Sequence, residues 1–148
     1  MTFFNFIKQL FLKEKIKTSI PISATKIKTL IPYSDGANII YLTNPHVYNS
    51  DKSYKTIEKS EVEKFLKSDW TNFKFYKKET MDCDDFAFIL LGKARERIPG
   101  GAFGWAASKT HAFNFFVDSN KKFWIIEPQT DKIFTSSDNK YQIKFCII

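Results

Sequence analysis

The spacing of apolar residues changes twice along this chain. Near the N-terminus Phe3, Ile7 and Phe11 recur every fourth residue, with Phe6 and Leu10 beside them. That spacing predicts a short amphipathic helix over residues 3–12. Thr18 to Ala24, with Pro21, reads as an irregular connector. The run GANIIYLT at 36–43 fits a strand or the start of a buried helix, and the Asn-, Ser-, Asp- and Pro-rich stretch 44–56 reads as loop. Ser60, with Glu63 three residues on, predicts a capping box opening a helix that runs to about Ser68 on Val62, Phe65 and Leu66. Residues 70–79 alternate at Phe73 and Phe75 and read as extended. A second helix opens at Asp82 and aligns Cys83, Ala87, Leu90, Leu91, Ala94 and Ile98 on one face, until Pro99, Gly100 and Gly101 stop it. The period then falls to two, predicting strands near 104–108, 110–117, 122–127, 131–134 and 140–147. Helices followed by a run of antiparallel strands make an α+β chain, not an alternating βαβ one.

Composition narrows this picture. The 148 residues suffice for one domain, divided here into a helix and connector at 1–24 and a globular part at 25–148. With 43% hydrophobic and 26% charged residues, wholesale disorder is excluded. Two cysteines exclude a disulfide scaffold and a four-cysteine zinc site. No apolar run approaches the roughly 18–20 residues of a membrane span, and residues 3–12 lack the basic start and small-residue cleavage site of a secretory signal. A cytoplasmic location is expected, a phage-infected host cell included. The net charge is +7, of which residues 1–34 supply +5, and only two of the 23 basic residues are Arg. Scattered Lys without Arg forks predicts no specific nucleic-acid partner. Phe on one face of residues 3–12, with Lys8, Lys13, Lys15 and Lys17 nearby, suits either packing on its own domain or docking on a membrane surface or partner.

Three short pieces carry candidate chemistry: MDCDDFA at 81–87, HAFN at 111–114 and EPQ at 127–129. With Asp82 as N-cap, Cys83 falls in the first helical turn, where unpaired N–H groups and the helix dipole favour a thiolate. Cys146, in the terminal run KFCII, reads as core. A nucleophilic thiol needs a base, and the base an orienting group. His46 lies in a polar loop and reads as a surface residue, whereas His111 opens a strand. Glu127, inside the apolar run FWIIEPQ, is the third member, because a buried carboxylate requires a partner. If the connection between the His111 and Glu127 strands were a three-residue loop, Asp118 to Asn120, with Asn120 left-handed, Glu127 would stand directly opposite His111. An odd loop or a bulge is therefore expected. Asp82, Asp84 and Asp85 flank the thiol and oppose its ionisation. A hard dication, held by the oxygens of Asp84, Asp85, Glu127 and Gln129, would relieve them; calcium suits this set better than zinc.

DCDDFA, HAFN and EPQ together resemble the calcium-dependent cysteine peptidase domain at the C-terminus of a fungal agglutinin, which has relatives in bacteria and phages. More loosely, they resemble bacterial transglutaminase-like cysteine proteinases. The resemblance spans about residues 33–135. It implies a papain-like or transglutaminase-like fold, with a nucleophile helix on an antiparallel sheet of about five strands. It further implies a thiol hydrolase in which Cys83 attacks an amide, His111 moves the proton and Glu127 orients the imidazole. Calcium would lie near Asp84, Asp85 and the EPQ segment, and the substrate would be a protein or peptide. A non-catalytic calcium-binding module of the same fold, or acyl transfer to an amine or cell-wall amide, are the alternatives.

Overall fold

A computed structural model describes residues 18–30, 32–34, 39–41, 47–136 and 138–148. The expected helix at 3–12 and His46 lie outside the described residues.

The longest helix is built where the apolar spacing placed it. Labelled α3, it runs Cys83–Arg97 after β1 (Thr18–Ser23), α1 (Ala24–Leu30), β2 (Pro32–Ser34), β3 (Ile39–Tyr41), β4 (Val47–Tyr48), β5 (Ser53–Ile57) and α2 (Lys59–Asp69). Leu90 and Ala94 of α3 and Val62, Phe65 and Leu66 of α2 pack with Phe103, Phe116 and Ile126 on one face of the main sheet. Asp85 Oδ2 accepts the Asp82 N–H at 3.1 Å, half of the capping box that opens α3. The capping box expected at Ser60 does not form. Glu58 is the N-cap of α2, and Glu63 pairs with Lys59 instead, because the helix starts one residue before Ser60.

The strands after α3 are β6 (Phe103–Ala107), β7 (Ala112–Val117), β8 (Phe123–Glu127), β9 (Lys132–Phe134) and β10 (Phe145–Ile147). The expectation of an antiparallel sheet of about five strands is corrected here. The described residues form a six-stranded mixed sheet, in the order β4-β10-β6-β7-β8-β9, and two two-stranded sheets. The C-terminal strand inserts beside β6 and pairs in parallel with Val47–Tyr48. Local periodicity does not register a parallel pair drawn from chain segments so far apart. Residues 70–79 are also not a strand: Thr71–Phe73 make a 3-10 turn, entered through Trp70 at φ 66°.

The second face of the sheet buries Phe113, Phe115, Val117 and Ile125 against Ile22, Ile27, Tyr54 and Ile143. β6 can approach its neighbours only because residue 104 is Gly. A Cβ there would stand 2.3 Å from the Phe115 ring and 2.6 Å from the Ile147 carbonyl oxygen.

Candidate functional site

Strand β7 is buried along its whole length, and His111 is the residue just before it. Phe115 pairs with Ile125 and Val117 with Phe123, a register that, continued, sets Glu127 across from Phe113. Side chains alternate along a strand, so Glu127 and His111 share a face, one pair apart. His111 Nε2 and Glu127 Oε2 lie 2.7 Å apart. The facing comes from an odd connection, but it differs from the three-residue loop with left-handed Asn120. Five residues separate the paired Val117 and Phe123, and Lys121 takes the left-handed conformation at φ 62°.

Asp118 sets that connection, a role that sequence reasoning missed. It is 6% exposed. Its Oδ1 accepts the N–H groups of Asn120 and Lys122 at 2.9 Å each, and its Oδ2 accepts the Trp124 indole N–H at 2.7 Å. The available signal was an Asp opening the polar stretch DSNKK, the residue type that folds a turn onto its own side chain.

Tyr141 and Lys140 complete the cluster and were not anticipated either. The Tyr141 hydroxyl donates to Glu127 Oε2 at 2.9 Å, and Lys140 Nζ lies 3.6 Å from the same oxygen. Both come from a 3-10 turn, Asn139–Tyr141, that only tertiary packing brings to β8. Burial pushes the Glu127 carboxyl up, but the His111 hydrogen bond and charge, Tyr141 and Lys140 outweigh it, and the net direction is below the usual carboxylate value. Glu127 is therefore ionised at neutral pH and acceptor-only, so His111 Nε2 donates to it. Among the described residues His111 Nδ1 has no hydrogen bond. Glu127 Oε1 is buried and likewise without a partner.

Cys83 begins α3, half-buried, and packs with Ala87, Trp105 and Ala112, the last being the neighbour of His111 in the chain. Among the described residues no hydrogen bond joins its thiol to His111. Cys146 is fully buried. Trp105 stacks on Phe88 at 4.7 Å and is 8% exposed, yet its indole N–H is buried without an acceptor.

The expected calcium donors are not gathered into one cluster. Asp85 spends an oxygen on the helix cap, Glu127 spends one on His111 and Tyr141, and Gln129 is half-buried in the turn after β8. The ligand atoms that do converge, within 4.8 Å of one another, are those of Asp82, Cys83 and Asp84. The hydrogen bond between the two carboxyls raises Asp84 and lowers Asp82, so this pair takes up its proton at Asp84, which donates it to the Asp82 carboxylate.

Solved structures share this fold, two of them as follows. One, a complex of PSL1a with E64, is 20% identical with a TM-score of 0.65 and aligns over 86% of this chain and 51% of its own. The other is Polyporus squamosus lectin bound to the human-type influenza-binding epitope Neu5Aca2-6Galb1-4GlcNAc, at 18% identity and a TM-score of 0.63, over 86% of this chain and 49% of its own. The chain thus spans about half the length of each. No protein-family model and no curated protein matches it.

These findings correct the sequence reading. One of these structures bears the name of a lectin and neither that of a peptidase, and no match supports a papain-like peptidase. The papain-like label, the calcium-activated hydrolase with its peptide substrate, and the assignment as a cysteine protease are withdrawn. The motif pieces misled because a capped helix bearing Cys, a strand bearing His and a partnered carboxylate are local arrangements, and local arrangements do not carry a function with them.

Proposed function

We propose that this chain is a ligand-binding module whose site is the edge shared by Cys83, Trp105 and the His111–Glu127 pair. One observation carries it: the indole N–H of Trp105 is buried without an acceptor, in the apolar cluster against which the half-buried Cys83 packs. A buried donor left unpaired is costly, and a ligand oxygen would satisfy it.

The names of the two neighbours supply two ligand classes, a glycan and E64. E64 is an epoxide, and the residues here answer an epoxide. The Cys83 thiol passes its proton to His111 Nδ1, the sulfur forms a bond to an epoxide carbon, the carbon–oxygen bond breaks, and the released oxygen takes the proton back. Glu127 holds the ring for both transfers. A glycan would be met differently, with a hydroxyl accepting from Trp105 and a sugar face lying on Phe88, which is 47% exposed. Calcium is not part of this proposal: the ligand atoms that converge are those of Asp82, Cys83 and Asp84, and Glu127 does not join them.

The test is mass spectrometry after incubation with E64. A single adduct on Cys83, none on Cys146, and slower labelling in His111→Ala support the site. Equal, slow labelling of both cysteines removes it. Turnover of peptides that is lost in Cys83→Ala would overturn the binding reading in favour of catalysis. Glycan binding that is unchanged in Trp105→Phe would place the sugar elsewhere.

A further inference from the structure

Seven large apolar side chains are exposed among the described residues, and four of them fall within seven consecutive positions: Trp70 at 69%, Phe73 at 75%, Phe75 at 92% and Tyr76 at 58%. Lys74 lies among them and Lys77 and Lys78 follow directly, all three exposed, and no acidic residue lies between 70 and 78. Water is a poor solvent for such a surface, and contiguous exposed apolar patches mark interaction sites.

The segment is held in shape rather than left loose. Asp69 Oδ2 accepts the Thr71 N–H at 2.8 Å, and Lys93 Nζ donates to the Asp69 carbonyl at 2.6 Å and to Thr71 Oγ1 at 3.2 Å. Farther along, the Lys77 N–H donates to the Met81 carbonyl at 2.9 Å, the Met81 N–H returns to the Lys77 carbonyl at 2.8 Å, and the Glu79 N–H reaches Asp82 Oδ2 at 3.0 Å. Anchored at both ends, the aromatics are displayed at little ordering cost to whatever they meet.

We propose that residues 70–78 form a docking surface for an anionic lipid membrane. Charge complementarity selects this occupant: three lysines without a carboxylate meet a negative headgroup layer, while aromatic rings enter the acyl boundary beneath it. Phe73 and Phe75 favour lipid over a polar polymer, since a Phe ring has no hydrogen-bonding handle. This proposal uses none of the residues of the Cys83 site and stands or falls apart from it.

The test is co-sedimentation of the full chain with phosphatidylserine–phosphatidylcholine vesicles and with pure phosphatidylcholine vesicles, at low and high salt. The expected result is binding to the anionic vesicles alone, weakened by salt. Lys74→Gln, Lys77→Gln and Lys78→Gln together should lower the apparent affinity about fivefold per lysine, and Phe75→Ser about tenfold. These side chains are exposed, so the variants should melt with the parent, and circular dichroism checks that they do. Absence of vesicle binding at low salt, equal binding to neutral vesicles, or binding undiminished in the variants overturns the proposal. So does binding of oligo-dT through the same lysines without vesicle binding, which would make the surface one for single-stranded nucleic acid.

Discussion

Replacing Glu127 by Gln tests the centre of the candidate site. The carboxylate is 7% exposed and receives a hydrogen bond from His111 at 2.7 Å and another from Tyr141 at 2.9 Å on one oxygen, with Lys140 at 3.6 Å. A hydrogen bond to a charged group contributes about 1.5–3 kcal/mol, and a neutral amide oxygen retains part of that. The amide nitrogen adds a donor where donors already converge. A loss of about 2–3 kcal/mol at neutral pH follows, or about 5–10 °C in Tm for a chain of this size. The pH dependence is the sharper measure. Because the folded-state pKa of Glu127 lies below its ordinary value, its contribution is present above the unfolded carboxylate value and is lost as pH falls through the folded one. Thermal melts of both proteins by circular dichroism, from neutral pH down to about pH 3, should show the gap closing in acid as the wild type loses what the Gln variant never had. A gap that stays constant with pH, or one below about 0.5 kcal/mol at neutrality, would refute an ionised Glu127 held by His111 and Tyr141.

Asp118→Ala should cost about 2–4 kcal/mol, since it strands two backbone N–H groups and the Trp124 indole, and a Trp124 fluorescence shift should accompany the drop in urea midpoint. Gly104→Ala should destabilise by about 2–3 kcal/mol in the same denaturation, because its Cβ meets both a ring and a backbone carbonyl that cannot move aside. Asp131→Asn should stabilise instead. Burial first, then the charge of Asp69, against a smaller opposing effect of Lys93, pushes the Asp131 carboxyl up to about 6. The wild type therefore loses stability as pH rises through that value, and Asn also suits the left-handed backbone there, at φ 57°. The gain, about 1 kcal/mol at pH 7 after allowance for partial solvent screening, should vanish below about pH 4, and melts at the two pH values decide it.

Helix α3 was legible in the sequence to within a residue, because capping acids, a repeat of three and four and a Pro-Gly-Gly stop all act within a few residues of one another. β7 and β8, whose alternation and polar hairpin are local, were legible to within two residues, and the face shared by His111 and Glu127 follows from parity once the connection is odd. The start of α2 was not legible, because Ser60 is a capping residue by type, yet the helix begins at Lys59 after Glu58, whose side chain makes no cap hydrogen bond. Tertiary structure alone decided the rest. The insertion of β10 between β4 and β6, the approach of Tyr141 and Lys140 to Glu127, and the packing of Cys83 against the cluster that holds Trp105 each join residues distant along the chain. Such contacts depend on which faces are left to bury once the local elements exist, and no periodicity records them. Function lay further still from the sequence: the three motif pieces specify a capped helix and a hairpin, and those elements serve binding as readily as catalysis.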